Sequence, residues 1–218
     1  RKYHNDDYLT INANLKNVIS LIKEIKIPSC SNEWIDYIND IKNQYFGKDI
    51  SSFANENKSL SPYLAIQEFQ KIIDNDAIVT VDCGAHLCWV YQSFLRTTQT
   101  IFTAAGFGPI GYAHPAAIGA AVSKPNKQVI SFSGDGSFQV QTSELQVMTN
   151  LNLNICNVVM NDLGYAIVKQ FQDSYMSSRY HATGINNGYS VPDIQKVAEA
   201  YGIEYHKLTT LDEIRKFK

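Results

Sequence analysis

Residues 129–171 read VISFSGDGSFQVQTSELQVMTNLNLNICNVVMNDLGYAIVKQF. Val129–Ser133 is an apolar run of the length of a buried strand, and Gly134-Asp135-Gly136-Ser137 follows at once. Two glycines let the backbone turn tightly and approach a ligand closely. Ser137 is expected to cap a following helix, whose free N–H groups face the same place and attract phosphate. Asp135 stands where phosphate would sit, and a carboxylate repels phosphate. A divalent cation between them resolves the conflict, because Mg²⁺ binds one or two carboxylates together with substrate phosphates. A second apolar run, Ile155–Met160, ends in Asn161-Asp162-Leu163-Gly164-Tyr165. If the two runs are neighbouring parallel strands, Asp135 and Asp162 emerge at one sheet edge, where open α/β sheets bind ligands. Either tetrapeptide alone is also an ordinary turn sequence; the pairing after two strands carries the reading.

The elements around this stretch continue the pattern. Upstream, Ser61-Pro62 opens a helix with Pro at its first position, with Leu64, Ile66, Phe69, Ile72 and Ile73 on its apolar face, and Asp74-Asn75-Asp76 ends it. Ala77–Val81 reads as a strand terminating in Asp82-Cys83-Gly84-Ala85-His86, and Ile101–Thr103 as a short strand. In Gly106-Phe107-Gly108-Pro109-Ile110-Gly111, three glycines within six positions mean that backbone, rather than side chain, meets something. His114–Val122 is a helix of small residues, its Gly119 exchanging about 1 kcal/mol of propensity for close approach to the sheet. Downstream, a helix is expected over Val191–Tyr201 with Gly202 ending it, a last strand over Glu204–Leu208, and a helix from Leu211. Strands alternating with helices give a doubly wound parallel sheet with helices on both faces. Residues 1–60 differ: two amphipathic helices, the first stopped by Pro28 and the second capped by Ser31 or Asn32, lead into a polar linker over Ser51–Ser61.

Composition narrows the class. The net charge of −2 leaves no electrostatic footprint for nucleic acid or an anionic membrane surface. No apolar stretch reaches membrane-spanning length, and no signal peptide is visible, so a cytoplasmic location is expected. Cys83 and Cys88 lack zinc-ligand spacing, and reduced thiols suit that compartment. The chain opens on Arg1 and stops within a helical pattern, as a piece of a longer protein would.

The GDGS tetrapeptide, the 24 residues Ser137–Met160 and Asn-Asp-x-Gly-Tyr together resemble the thiamine diphosphate motif. Three further blocks, in order, are similar to the C-terminal, diphosphate-binding domain of the acetolactate synthase-like enzymes: IVTVDCGAHLCW (78–89), AAGFGPIGYAHPAAIGAA (104–121) and YAIVKQFQ (165–172). The resemblance implies that residues 61–218 form that domain and that residues 1–60 end the family's middle domain. The pyrimidine-binding N-terminal domain would then be absent from this chain.

Residue by residue, the resemblance implies that Asp135, Asp162 and the Gly164 carbonyl ligate Mg²⁺. It places Ala85, His86, Gly134, Gly136 and Ser137 on the diphosphate, and Gly108 and Ile110 on the aminopyrimidine. Ile110 is also the apolar wedge that bends the cofactor. Tyr165 either stacks near the cofactor or packs. Ile167, Val168 and Phe171 stand at substrate-pocket positions, and Lys169 and Gln170 at the entrance. The implied activity is decarboxylation of a 2-keto acid, with carboligation, in a homodimer or homotetramer; whether FAD binds is open. No catalytic residue is assigned to this chain, because the family's activating Glu comes from the missing domain, and Glu68 and Glu144 read as surface helix residues. Three departures stand out: Asp162 replaces an Asn, Ile110 a Met and Phe171 a Trp. The alternatives are a simple 2-keto acid decarboxylase or oxidase, a non-catalytic assembly domain that kept the fold, and an unrelated nucleotide-binding α/β protein.

Overall fold

The computed structural model describes residues 11–26, 29–45, 60–95 and 98–217. The expected stop at Pro28 and the polar stretch 51–59 lie outside the described residues. The chain divides into two compact units, residues 1–42 and 43–218.

In the first unit, α1 (Leu15–Glu24) begins where the Asn14 side chain accepts a hydrogen bond from the Lys16 N–H at 2.9 Å, a standard way to satisfy a free helix-end donor. None of its residues is buried. In α2 (Asn32–Tyr45), Ser31 Oγ accepts from the Trp34 N–H at 3.2 Å, so the cap is Ser31.

The second unit is built on four parallel strands: β1 (Ile78–Val81), β2 (Thr100–Phe102), β3 (Val129–Gly134) and β4 (Ile155–Met160), in the spatial order β2-β1-β3-β4. The chain runs outward from β1 to β2, crosses back to β3, and continues to β4. The order therefore reverses between β1 and β3, which is the place where open sheets leave a crevice beyond the strand ends. Ile78 pairs with Val129, and Gly134 with Met160. That last register sets Asp135 and Asp162 just beyond the carboxyl ends of adjacent strands.

Each face of the sheet is covered, as the alternation of strand side chains requires. On one side, Val79, Val81, Ile130 and Phe132 pack against Ile66 and Phe69 of α3 (Pro62–Gln70), Val90 of α4 (Ala85–Ser93) and Ile214 of α10 (Leu211–Lys216). Phe132 is fully buried and meets the Phe69 ring edge-on at 5.9 Å. On the other side, Ile78 and Val129 pack against Ala117 and Ala121 of α5 (Ala113–Ser123). A neighbouring cluster joins Phe138 of α6 (Asp135–Val140), Leu145 and Met148 of α7 (Glu144–Asn150) and Ile194 of α9 (Ile194–Ala200). The remaining helix, α8 (Ala166–Tyr175), follows β4. No described helix is long and apolar enough to cross a membrane.

Five expectations need correction. Glu204–Leu208 forms no strand; Ile203 and Tyr205 pack on one cluster and Leu208 on another, so the alternation is real but no ladder forms. Ser137 does not cap a helix, because α6 starts two residues earlier and Ser137 lies within it, its hydroxyl donating to the Cys83 carbonyl at 3.4 Å. The close approach assigned to Gly119 is made instead by Ala113, Ala117 and Ala121; a Cβ on Gly119 would meet nothing within 4 Å. The helix expected from Val191 starts at Ile194, where the Asp193 carboxylate accepts from the Gln195 and Lys196 N–H groups. Glu68 is no free surface residue: its carboxylate meets Arg215 Nε at 3.1 Å and Lys71 Nζ at 2.8 Å, tying α10 to α3.

Candidate functional site

The edge formed by the ends of β1, β3 and β4 collects most of the residues singled out in the sequence. Asp135, first residue of α6, is fully buried. Its Oδ2 accepts a 2.9 Å hydrogen bond from the Tyr189 hydroxyl, while its Oδ1 is buried with no hydrogen-bond partner among the described residues. An unpartnered buried carboxylate oxygen costs several kcal/mol unless something positive meets it. Burial accordingly raises the Asp135 carboxyl above its ordinary range, opposed chiefly by the Tyr189 hydroxyl. Asp162, two residues past β4, is open at the surface but lies close enough to Asp135 to feel it. Desolvation first, and the Asp135 charge second, push the Asp162 carboxyl up to about 6. Two carboxylates in mutual repulsion, one with a bare oxygen, form a site that gains by taking up a cation.

The backbone around Asp162 is tightly constrained. Asn161 Oδ1 accepts from the Leu163 N–H at 3.2 Å, and Leu163 adopts φ +58, a left-handed conformation that a bulky residue seldom holds. Gly164 then bridges to Gly184, and a Cβ on Gly164 would stand 2.5 Å from the Thr183 carbonyl oxygen. Tyr165 packs rather than reaching outward: its ring lies edge-on to Tyr189 at 4.8 Å and covers Gly136, whose added Cβ would be 2.4 Å from it. A cleft of about 280 Å³ opens beside these residues, lined by Asp162, Gly164, Lys169, Gln170 and Thr183 among others.

The crevice between β1 and β3 supplies the second part of the site. Gly84 caps α4 with φ +147, a conformation only glycine takes easily. The His86 ring lies against it and against Gly134, where added Cβ atoms would meet the ring at 2.6 Å and 3.2 Å. His86 is buried, its Nε2 has no partner among the described residues, and desolvation lowers its pKa to about 4, so the ring is neutral. Ala85 stands beside it at the first position of α4. The glycine-rich loop is tied down from below. Buried Asp82 accepts from the Cys83 and Gly111 N–H groups through Oδ1, at 2.8 and 2.9 Å, and from the Ala113 N–H through Oδ2 at 2.8 Å. Gly108 and Gly111 take positive φ, and Phe107 and Ile110 project outward, 97% and 46% exposed.

Thus Asp135, Asp162, Gly164, Gly136, Gly134, Ser137, His86 and Ala85 gather around the ends of β1, β3 and β4. Ile167, Val168 and Phe171 do not line the cleft; they are exposed on α8, with Phe171 against Tyr175 at 4.6 Å. Two residues escaped the sequence reading. Asp82 was visible only as the end of a strand, and its partners lie 29 and 31 residues on. Tyr189 is 54 residues from Asp135, in a polar stretch without periodicity.

Known proteins share much of this sequence. The sequence family described as "Thiamine pyrophosphate enzyme, C-terminal TPP binding domain" matches residues 82–217. The chain is 31% identical over 202 residues to the acetolactate synthase large subunit of Lactococcus lactis subsp. lactis (strain IL1403), covering 92% of this chain and 34% of that protein. It is 34% identical over 171 residues to the acetolactate synthase large subunit of Pyropia yezoensis, covering 78% and 28%. Against the acetolactate synthase isozyme 2 large subunit of Escherichia coli (strain K12), identity is 33% over 140 residues, covering 64% and 25%. The chain spans about a third or less of the length of these relatives.

Proposed function

Because this chain belongs to the family of thiamine pyrophosphate enzymes, matching its C-terminal cofactor-binding domain, we propose that it holds the diphosphate of thiamine diphosphate through a divalent cation. On this reading it serves a 2-keto acid decarboxylase and carboligase of the acetolactate synthase type. The observation that carries the reading is Asp135, a fully buried carboxylate with a bare oxygen at the carboxyl end of β3, facing a second carboxylate.

The residues present fit the group. Among the described residues no cluster of three or more His, Cys, Asp or Glu side chains could hold a metal alone. A cation here would therefore take two carboxylates and a backbone carbonyl from the protein and complete its shell from phosphate and water, the habit of Mg²⁺. Asp135 and Asp162 would neutralise it, and Gly164 would offer its carbonyl. Gly84, Gly134 and Gly136 let the His86 and Tyr165 rings lie directly on the backbone at the strand ends, since side chains there would collide with those rings. His86 Nε2, buried and unpartnered, would meet a phosphate oxygen. Ile110 would support the ring system from the loop that Asp82 holds. Asp162, in place of the amide usual in the resemblance, adds one negative charge to the site, so this chain's cation affinity would depend on pH more than an amide-bearing relative's.

When bound, the cofactor supplies the electron sink for decarboxylation; the protein's part is to hold it, shape it and exclude water. The chain would not suffice alone. The resemblance implies that an activating carboxylate would come from another domain, with the site closed in a homodimer or homotetramer; Glu68 is engaged with Arg215 and Lys71, and Glu144 lies in the first turn of α7. Exposed Ile167, Val168 and Phe171 would face that partner and the substrate.

Calorimetric titration of thiamine diphosphate, with and without Mg²⁺, tests the reading. Mg²⁺-dependent binding that disappears in Asp135→Ala is the expected result. Absence of Mg²⁺-dependent binding in the unaltered protein would refute it.

A further inference from the structure

We propose that Tyr189 is a positioning residue of the cation site, restricting Asp135 to one coordinating oxygen and thereby favouring Mg²⁺ over Ca²⁺. The inference rests on the cation reading given above.

The Tyr189 hydroxyl donates to Asp135 Oδ2 at 2.9 Å, while Oδ1 of the same carboxylate has no partner among the described residues. A carboxylate held in this way presents one oxygen. Mg²⁺ demands near-octahedral geometry with short bonds, whereas Ca²⁺ takes six to eight oxygens and accepts a carboxylate through both. Engaging one lone pair of Oδ2 thus disfavours the bidentate mode that the larger ion would use. Residues that hydrogen-bond a ligand in this way are worth about 10–100-fold in metal affinity.

The placement of Tyr189 is built in rather than incidental. The side chain is 7% exposed, and its ring meets Tyr165 edge-on at 4.8 Å. Its N–H donates to the Gly184 carbonyl at 3.1 Å, and Gly184 bridges Gly164, the residue whose carbonyl is the third candidate ligand. The Asn187 side-chain oxygen accepts from the Thr183 and Gly184 N–H groups at 2.8 and 2.7 Å, closing the turn. Thr183 Oγ1 donates to Gln172 Oε1 at 2.8 Å, and Gln172 Nε2 donates to the His181 carbonyl at 3.2 Å, fastening the turn to α8. One loop, 181–189, therefore fixes both the free oxygen of Asp135 and the backbone of Gly164.

Tyr189→Phe is the test, because it keeps the ring against Tyr165 and removes only the hydroxyl. The probes are Mg²⁺ and Ca²⁺, each titrated calorimetrically into the full chain with thiamine diphosphate present, together with the urea midpoint of the metal-free protein. The expected result is a roughly tenfold loss of Mg²⁺ affinity with Ca²⁺ affinity held or raised, so that the preference for Mg²⁺ falls at least tenfold. An unchanged preference in the variant, with cation binding intact in the unaltered chain, would overturn this inference alone. A variant that no longer folds would make the hydroxyl structural and overturn it too. Failure of the unaltered chain to bind either cation would remove the cation reading, and this inference with it.

Discussion

The same one-carbon change should have opposite effects at two glycines, and the structure gives the size of each. At Gly164 an added Cβ would stand 2.5 Å from the Thr183 carbonyl oxygen. That atom is backbone, so it cannot swing away as the end of a side chain would. Thr183 is held by its own N–H to Asn187, by its hydroxyl to Gln172, and by the Tyr165 N–H, which donates to its carbonyl at 3.0 Å. Relief must come from parting the Gly164–Gly184 bridge. Overpacking of this kind costs about 1–3 kcal/mol, and the strained Tyr165–Thr183 hydrogen bond about 1 kcal/mol more. Gly164→Ala should therefore destabilise the chain by about 2–4 kcal/mol. At Gly119, exposed in the middle of α5, a Cβ meets nothing within 4 Å, and the helix gains about 1 kcal/mol of propensity. Urea denaturation of the metal-free protein and both variants measures the two effects as midpoint shifts at constant slope. A Gly164→Ala variant within about 0.5 kcal/mol of the unaltered chain, the usual range for uncritical surface sites, would refute the steric reasoning. So would a destabilising Gly119→Ala.

Two further outcomes follow from charge. Arg215 and Lys71 hold the Glu68 carboxyl down to about 2. A depressed carboxylate stabilises the fold above its ordinary pKa of 4.5 and loses that contribution as pH falls toward 2. Arg215→Ala should lower the urea midpoint at pH 7, by the small amount a solvent-screened pair supplies; a midpoint difference that persists undiminished at pH 2.5 would contradict the pairing. Asp162 has the opposite sign, its carboxyl raised from 3.8 to about 6, so the metal-free fold keeps this group's contribution below pH 3.8 and loses it as pH rises through 6. Asp162→Asn should stabilise the metal-free chain at pH 7.5 by about 1 kcal/mol after allowing for its exposure, with no gain at pH 4; a variant equal in midpoint to the unaltered chain at both values would show that neither desolvation nor the Asp135 charge disfavours the Asp162 carboxylate.

The sheet was legible because its strands are short apolar runs, each closed by a glycine turn: Val81 gives way to Asp82-Cys83-Gly84 and Ser133 to Gly134-Asp135. Residues near in sequence to those ends, His86 and Gly136 among them, came to the site with the strands. The tertiary partners were not legible. Tyr189 reaches Asp135 from a loop whose shape depends on Asn187, Thr183 and Gln172, and hydrogen bonds between side chain and backbone leave no period to read. Glu204–Leu208 shows the reverse failure. Its side chains alternate as a strand's do, yet pairing needs a neighbour, and none of the four strands provides one. Gly119 illustrates a third kind: small residues recur along α5, but the buried alanines are those at positions 113, 117 and 121, and Gly119 is exposed.

Asp82 has a consequence for variation. The shape of the loop from Gly108 to Ala113 is set by two of its own peptide N–H groups bonded to a carboxylate beneath it, while Phe107 and Ile110 point the other way. Shape and surface are thus under separate control. The outward side chains can be exchanged without redrawing the backbone that presents them. A change at Asp82 would instead redraw that backbone and shift the outward residues with it.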